Sequence, residues 1–298
     1  MIHETLITPH GGKVVTYIQD GQIYHQVYRK KPAMIICPGG AYLIHATREG
    51  EPTAVTFMEK DFQCFVLYYS VGTDREHPEK GVDPAAAYPI QALQLMETVH
   101  MIRTHAEEWH IDVDSIFVIG FSAGGHVAAS LGTRWNDPKL LKDLDFKPEG
   151  EALKPAGVLL AYPMLRLNSR SFMEASAERT AVENTALMYQ TLFHTDTPSE
   201  TEKTSVDLIR YVSEDTAPMF LWNCMDDPVV DPCHALDFVR ECHKKNVVCE
   251  YHLFDHGGHG LASNNALTTM EEDEIDPGIS QWIQLALAWI RRRRNERG

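Results

Sequence analysis

Ile116-Phe117-Val118-Ile119-Gly120-Phe121-Ser122-Ala123-Gly124-Gly125-His126-Val127-Ala128-Ala129-Ser130-Leu131 is the stretch that decides the fold. Its apolar start suits a strand buried on both faces. Gly120 to Gly124 spell Gly-x-Ser-x-Gly, and the small residues that follow suit a closely packed helix over 124–131. A strand, a tight turn and a helix in that order lift a Ser hydroxyl off the end of a sheet. The flanking glycines remove side chains that would clash in the turn. The N–H of Ala123 then faces the place where an oxyanion would form. Ser122 is the candidate nucleophile.

Other apolar runs of strand length flank this one, at 33–37, 63–69, 157–161, 218–223 and 247–254, with 115–119 between them. Gly and Pro bound several of these runs, as expected of a parallel sheet with covered faces. Residues 14–23, broken at Asp20-Gly21, predict an antiparallel hairpin at one edge. Amphipathic stretches lie between the strands. One spans 86–109, with Ile90, Leu93, Leu95, Val99 and Ile102 apolar. Asp231-Pro232 and Asp276-Pro277 read as helix starts, the second for a final helix through Ile290. Residues 164–215 separate the fourth and fifth strands, too long for a structureless loop. Within them 180–193 and 204–212 read as helical, so the segment is an inserted excursion and a candidate lid. The expectation is α/β, one domain over 1–298, with a mostly parallel central sheet, helices on both faces and a helical insertion.

A hydroxyl needs a base. His259, in Asp-His-Gly-Gly-His-Gly-Leu (255–261), follows the sixth strand at the sheet edge that carries the Ser turn. His256 is its rival. The base needs an orienting acid. Asp226-Asp227-Pro228-Val229-Val230 follows the fifth strand; Asp227 is the first candidate and Asp226 the alternative, while Asp231 reads as a helix cap. Pro38-Gly39-Gly40-Ala41-Tyr42 follows the first core strand, and the N–H groups of Gly40 and Ala41 could join Ala123 around an oxyanion. The order Ser, Asp, His is that of α/β-hydrolases, not of chymotrypsin-like or subtilisin-like enzymes.

ICPGGAY (36–42), REGEP (48–52), HAEEWHIDVDSIFVIGFSAGGHVAASLG (105–132), APMFLWNCMDDPVV (217–230) and FDHGGHGLA (254–262) together resemble a known family. It is the esterase and lipase branch of the α/β-hydrolases that includes acetyl xylan esterase-like and feruloyl esterase-like bacterial proteins. The resemblance implies the α/β-hydrolase fold, nucleophile Ser122, acid Asp227, base His259 and oxyanion donors Gly40, Ala41 and Ala123. It implies a serine carboxylesterase acting on short-acyl esters, such as acetyl groups on sugars, with no cofactor and no metal. Kynurenine formamidase-like or peptidase-like hydrolysis is the alternative, as is a non-catalytic binding module on the same fold. Three positions depart from the family pattern. Ala41 replaces the third glycine, which demands a negative φ there. Ser70 follows Tyr69 where arginine is usual, and Asp231 stands where many relatives have proline.

Composition agrees with this class. The chain has 298 residues, 27 Lys and Arg against 42 Asp and Glu, and a net charge of −15. An acidic chain is a poor partner for nucleic acid. No apolar stretch reaches the length of a membrane span. The six cysteines form no CxxC pair or zinc spacing; free buried thiols and a cytoplasmic location are expected. A homo-oligomer is not readable from the sequence, so the expected partner is a small ester. Residues 171–215 and 255–276 each carry a net charge of −6, whereas 291–298 carry +4. A negative rim around the site is therefore expected, one that disfavours anionic substrates.

Overall fold

The computed structural model describes residues 1–20, 22–24, 27–73, 79, 81–167 and 181–296. Gly21 of the expected hairpin, residues 168–180 of the insertion and the last two residues lie outside these.

The strands are β1 (Thr5–Ile7), β2 (Lys13–Tyr17), β3 (Gln22–Tyr24), β4 (Val27–Tyr28), β5 (Lys31–Cys37), β6 (Gln63–Tyr68), β7 (Ile111–Phe121), β8 (Gly157–Ala161), β9 (Met219–Cys224) and β10 (Cys249–Phe254). The helices are α1 (Glu51–Met58), α2 (Ile90–Thr104), α3 (Ser122–Arg134), α4 (Pro138–Leu141), α5 (Ala181–Phe193), α6 (Glu200–Ser205), α7 (Cys233–Lys244) and α8 (Trp282–Asn295). Eight strands form one sheet in the order β1-β2-β6-β5-β7-β8-β9-β10. The six from β6 to β10 run parallel, and β2 joins them antiparallel.

Alternation along the strands divides the core in two. Ala33, Ile35 and Val118 face a cluster with residues of α2, α3 and α7. Met34, Ile36, Phe117 and Ile119 face a second cluster with residues of α1 and α8. Both faces are covered, so the central strands read as unbroken apolar runs. Among the described residues no helix is long and apolar enough to cross a membrane. All six cysteines are free; Cys233 is exposed and Cys249 only partly buried.

Three expectations need correction. The edge hairpin is not at 14–23: β1 pairs with β2 through residues 8–12, where Gly11 has a φ of 84°. Residues 204–212 are not one helix, because α6 ends at Ser205 and the Asp207 carboxylate caps a separate turn by accepting the Ile209 N–H. The last helix begins at Trp282 rather than beside Pro277: Asp276 accepts the Gly278 and Ile279 N–H groups, and a short turn intervenes. The described part of the insertion packs onto the α3 side of the sheet, with Met188, Leu192, Val206 and Leu208 buried there.

Candidate active site

Parallel strands bring their carboxyl ends to one edge, and every candidate residue follows such an end. Ser122 begins α3 directly after β7, at a φ of 51°. An L-residue pays for that left-handed conformation, and strain of this kind clusters at functional turns. Close packing holds the turn in place. A Cβ on Gly124 would stand 2.0 Å from the Cys37 carbonyl oxygen, and one on Gly39 would stand 2.9 Å from Ser122 Cβ.

The loop after β10 carries His259 over the Ser. His259 Nε2 lies 2.9 Å from Ser122 Oγ, and Nδ1 lies 2.7 Å from Asp227 Oδ2. An ionised carboxylate only accepts, so Nδ1 carries the proton and Ser122 donates to Nε2. The other Asp227 oxygen accepts the Val229 and Val230 N–H groups at 2.8 and 2.9 Å. The Asp227 side chain is buried, and the His259 side chain is 14% exposed.

Asp226 and His256 lie elsewhere in the same loops. Asp226 accepts the N–H groups of Gly258 and Gly257 at 2.9 and 3.2 Å, bonds that hold its carboxyl below its ordinary range. It braces the histidine loop from outside. His256 sits on the surface between Asp255 and Asp276, 2.7 Å from each, and these bonds raise its pKa. Asp231 accepts the Cys233 N–H at 2.9 Å one position before the cap of α7, which is Pro232 rather than Asp231.

Gly40, Ala41 and Tyr42 follow β5 with φ values of 125°, 59° and 63°. The expectation of a negative φ at Ala41 is thus overturned. The Gly40 carbonyl accepts the N–H groups of Leu43 and Ile44, closing a turn that needs the left-handed region. Among the described residues, the N–H groups of Gly40, Ala41 and Ala123 have no acceptor. Tyr42 pins the turn from below. His126 Nε2 donates to the Val206 carbonyl at 2.8 Å, so its Nδ1 accepts the Tyr42 O–H at 2.6 Å. Tyr69, beside the divergent Ser70, donates to the Pro38 carbonyl at 2.6 Å.

Sequence reasoning did not single out Glu49, Tyr162, Tyr42 or His126. His126 stands four residues after Ser122, on the same face of α3, and that spacing could have found it. Among the described residues no three His, Cys, Asp or Glu side chains converge to hold a metal ion.

A mostly parallel sheet with helices on both faces and a strained Ser at a strand–helix turn defines an α/β-hydrolase. Comparison with known proteins narrows this. Residues 22–241 match the BD-FAE family, and the chain belongs to it, among the α/β-hydrolase esterases. The chain is 28% identical to the carboxylesterase Cest-2923 of Lactobacillus plantarum, covering 98% of this chain and 96% of that one, with a TM-score of 0.78. It is 26% identical to an acetyl ester-xyloside bifunctional hydrolase of Caldicellulosiruptor lactoaceticus, over 93% and 89% of the two chains, with a TM-score of 0.66. It is also 28% identical to endo-1,4-beta-xylanase B of Butyrivibrio fibrisolvens over 253 residues, 84% of this chain and 34% of that protein. The chain spans between a third and just over half of the curated relatives it matches.

Proposed function

We propose that the protein is a serine carboxylesterase that removes short acyl groups, acetyl above all, from neutral esters such as acetylated sugars. The observation that carries this reading is the unbroken relay from Ser122 through His259 to Asp227, set beside three N–H groups that have no acceptor among the described residues. His259 takes the Ser122 proton as the hydroxyl attacks the ester carbonyl. Asp227 holds the imidazole tautomer and stabilises the imidazolium. The N–H groups of Gly40, Ala41 and Ala123 receive the oxyanion, a single donor of this kind contributing about 3 kcal/mol. His259 then protonates the leaving alcohol, and water repeats the sequence on the acyl-enzyme. The sugar ester is supported by the names of the relatives, an acetyl ester-xyloside hydrolase and a xylanase.

The test uses p-nitrophenyl acetate. Ser122→Ala and His259→Ala are expected to lose at least about a thousandfold in kcat, and His256→Ala to keep it. Wild-type turnover by Ser122→Ala would sink the mechanism. A panel of acyl lengths, run beside acetylated xylo-oligosaccharides, tests the substrate class; octanoyl esters turned over faster than acetyl esters would overturn it.

A further inference from the structure

Two of the loops that build the site come from distant parts of the chain, yet one carboxyl group joins them. Glu49 lies in the turn before α1 and is 2% exposed. Its Oε2 accepts the Gly39 N–H at 2.6 Å. Its Oε1 accepts the Tyr162 O–H at 2.9 Å. Tyr162, directly after β8, accepts in turn the Ala262 N–H at 2.8 Å. Its ring lies 4.8 Å from the His259 ring, edge to face. From the oxyanion turn to the segment just past the histidine, the path is thus Gly39, Glu49, Tyr162, Ala262.

We propose that Glu49 is a positioning residue, whose buried carboxylate holds the oxyanion turn and the His259 loop in register with each other. The proposal rests on the esterase reading above. A carboxylate suits the place because both of its oxygens meet donors. Burial raises the Glu49 pKa, while the Gly39 N–H, the Tyr162 O–H, His259 and Arg48 all oppose that shift. Its negative charge also faces the imidazolium that forms on His259 during turnover. A glutamine of the same volume supplies one acceptor and one donor, so it satisfies one partner and disturbs the other.

The experiment compares Glu49→Gln, Tyr162→Phe and the double variant with wild type on p-nitrophenyl acetate, with thermal unfolding to show that each is folded. Ser122→Ala runs alongside. The expected result is a fall in kcat of about 10- to 100-fold for Glu49→Gln, with KM changed less than about threefold, since misplaced groups cost turnover rather than ground-state binding. Tyr162→Phe shows the same split to a smaller degree. The double variant is no worse than Glu49→Gln, because both act along one path. Folded Glu49→Gln with wild-type kcat overturns the proposal, as does a variant that only unfolds earlier. Should Glu49→Gln fail to fold, Tyr162→Phe decides by the same criteria. An active Ser122→Ala would instead overturn the esterase reading, so the two failures are distinguishable.

Discussion

A single fully buried imidazole shows how an uncharged residue can matter to both stability and the site. His126 sits on α3 between the Tyr42 hydroxyl and the Val206 carbonyl. Burial lowers its pKa from 6.5 to about 4. Neutral, it accepts from Tyr42 and so steadies the left-handed turn that presents Gly40 and Ala41. Tyr42 and Ala41 each carry about 1–2 kcal/mol of backbone strain, which such contacts must offset. Protonated, Nδ1 becomes a donor and the Tyr42 O–H has to turn away. The sign of the pH effect follows from linkage. Between the folded and unfolded values the unfolded chain binds the extra proton, so stability falls as pH drops from 6.5 towards 4. The full loss from this group is about 3 kcal/mol. Glu49, with its raised pKa, acts in the opposite direction in acid. The group is therefore read by difference, with urea unfolding at pH 7 and pH 4.5 for wild type and His126→Asn. Wild type is expected to lose about 2–3 kcal/mol more than the variant across that interval. Parallel losses would remove His126 from the account.

At the level of elements, β5, β7 and α3 meet at a close-packed junction on the molecule's working edge. A methyl on Gly124 would press on two backbone oxygens, those of Cys37 and Pro38, at 2.0 and 2.5 Å. Neither can swing aside as a side chain could. Gly124→Ala is therefore expected to cost about 3 kcal/mol or more by overpacking, and to lower kcat beyond what the lost stability explains. A urea midpoint unchanged from wild type would refute this. The same junction explains what the sequence revealed. β5, β7, β8 and β9 are buried on both faces, so their apolar runs stand out, and Gly157–Ala161 is read correctly at both ends. β7 begins earlier than its apolar run because Asp112, Val113 and Asp114 lie where cover on the sheet is thinner. The edge hairpin is hard to place from sequence because β1 has only three residues, mostly exposed, and so leaves almost no pattern. Ser122, Asp227 and His259 are legible because each follows a recognisable strand in a known order. Glu49 and Tyr162 carry no such mark. A lone Glu in a loop and a Tyr before a proline reveal their partnership only once the chain has folded.

At the scale of the whole molecule, an acidic cluster and a basic one lie at opposite ends of the strands among the described residues. Asp226, Asp227, Asp255 and Asp276 gather around the carboxyl ends of β9 and β10; after burial, their charges are what push the Cys224 thiol up to about 12. Glu271, Glu272, Asp273 and Glu274 lie exposed in the same stretch. At the other end, α8 finishes in Arg291, Arg292, Arg293 and Arg294, a placement its own dipole favours. Arg292 pairs with Glu250 near the start of β10, and Arg294 lies 3.6 Å from Asp112 near the start of β7. The acids after β9 and β10 thus gather at the catalytic edge, where Arg48 also lies against Gly260, while the arginines of α8 lie at the opposite one. Glu174 and Glu178 of the insertion lie outside the described residues, and the gradient stands without them. The expectation is that a substrate approaching Ser122 meets a negative rim, which would lower the local concentration of anions and leave neutral molecules untouched. For a neutral ester and a carboxylate-bearing analogue matched in size, kcat/KM is expected to favour the neutral one by about three- to tenfold at 10 mM salt, where the screening length is about 30 Å. At 0.5 M salt most of that preference should vanish, because a rim acts over distances that salt screens, whereas a clash or an unpaired charge inside the pocket persists. A preference that is absent at low salt, or that survives high salt undiminished, would show that the charge gradient plays no part in selecting the substrate.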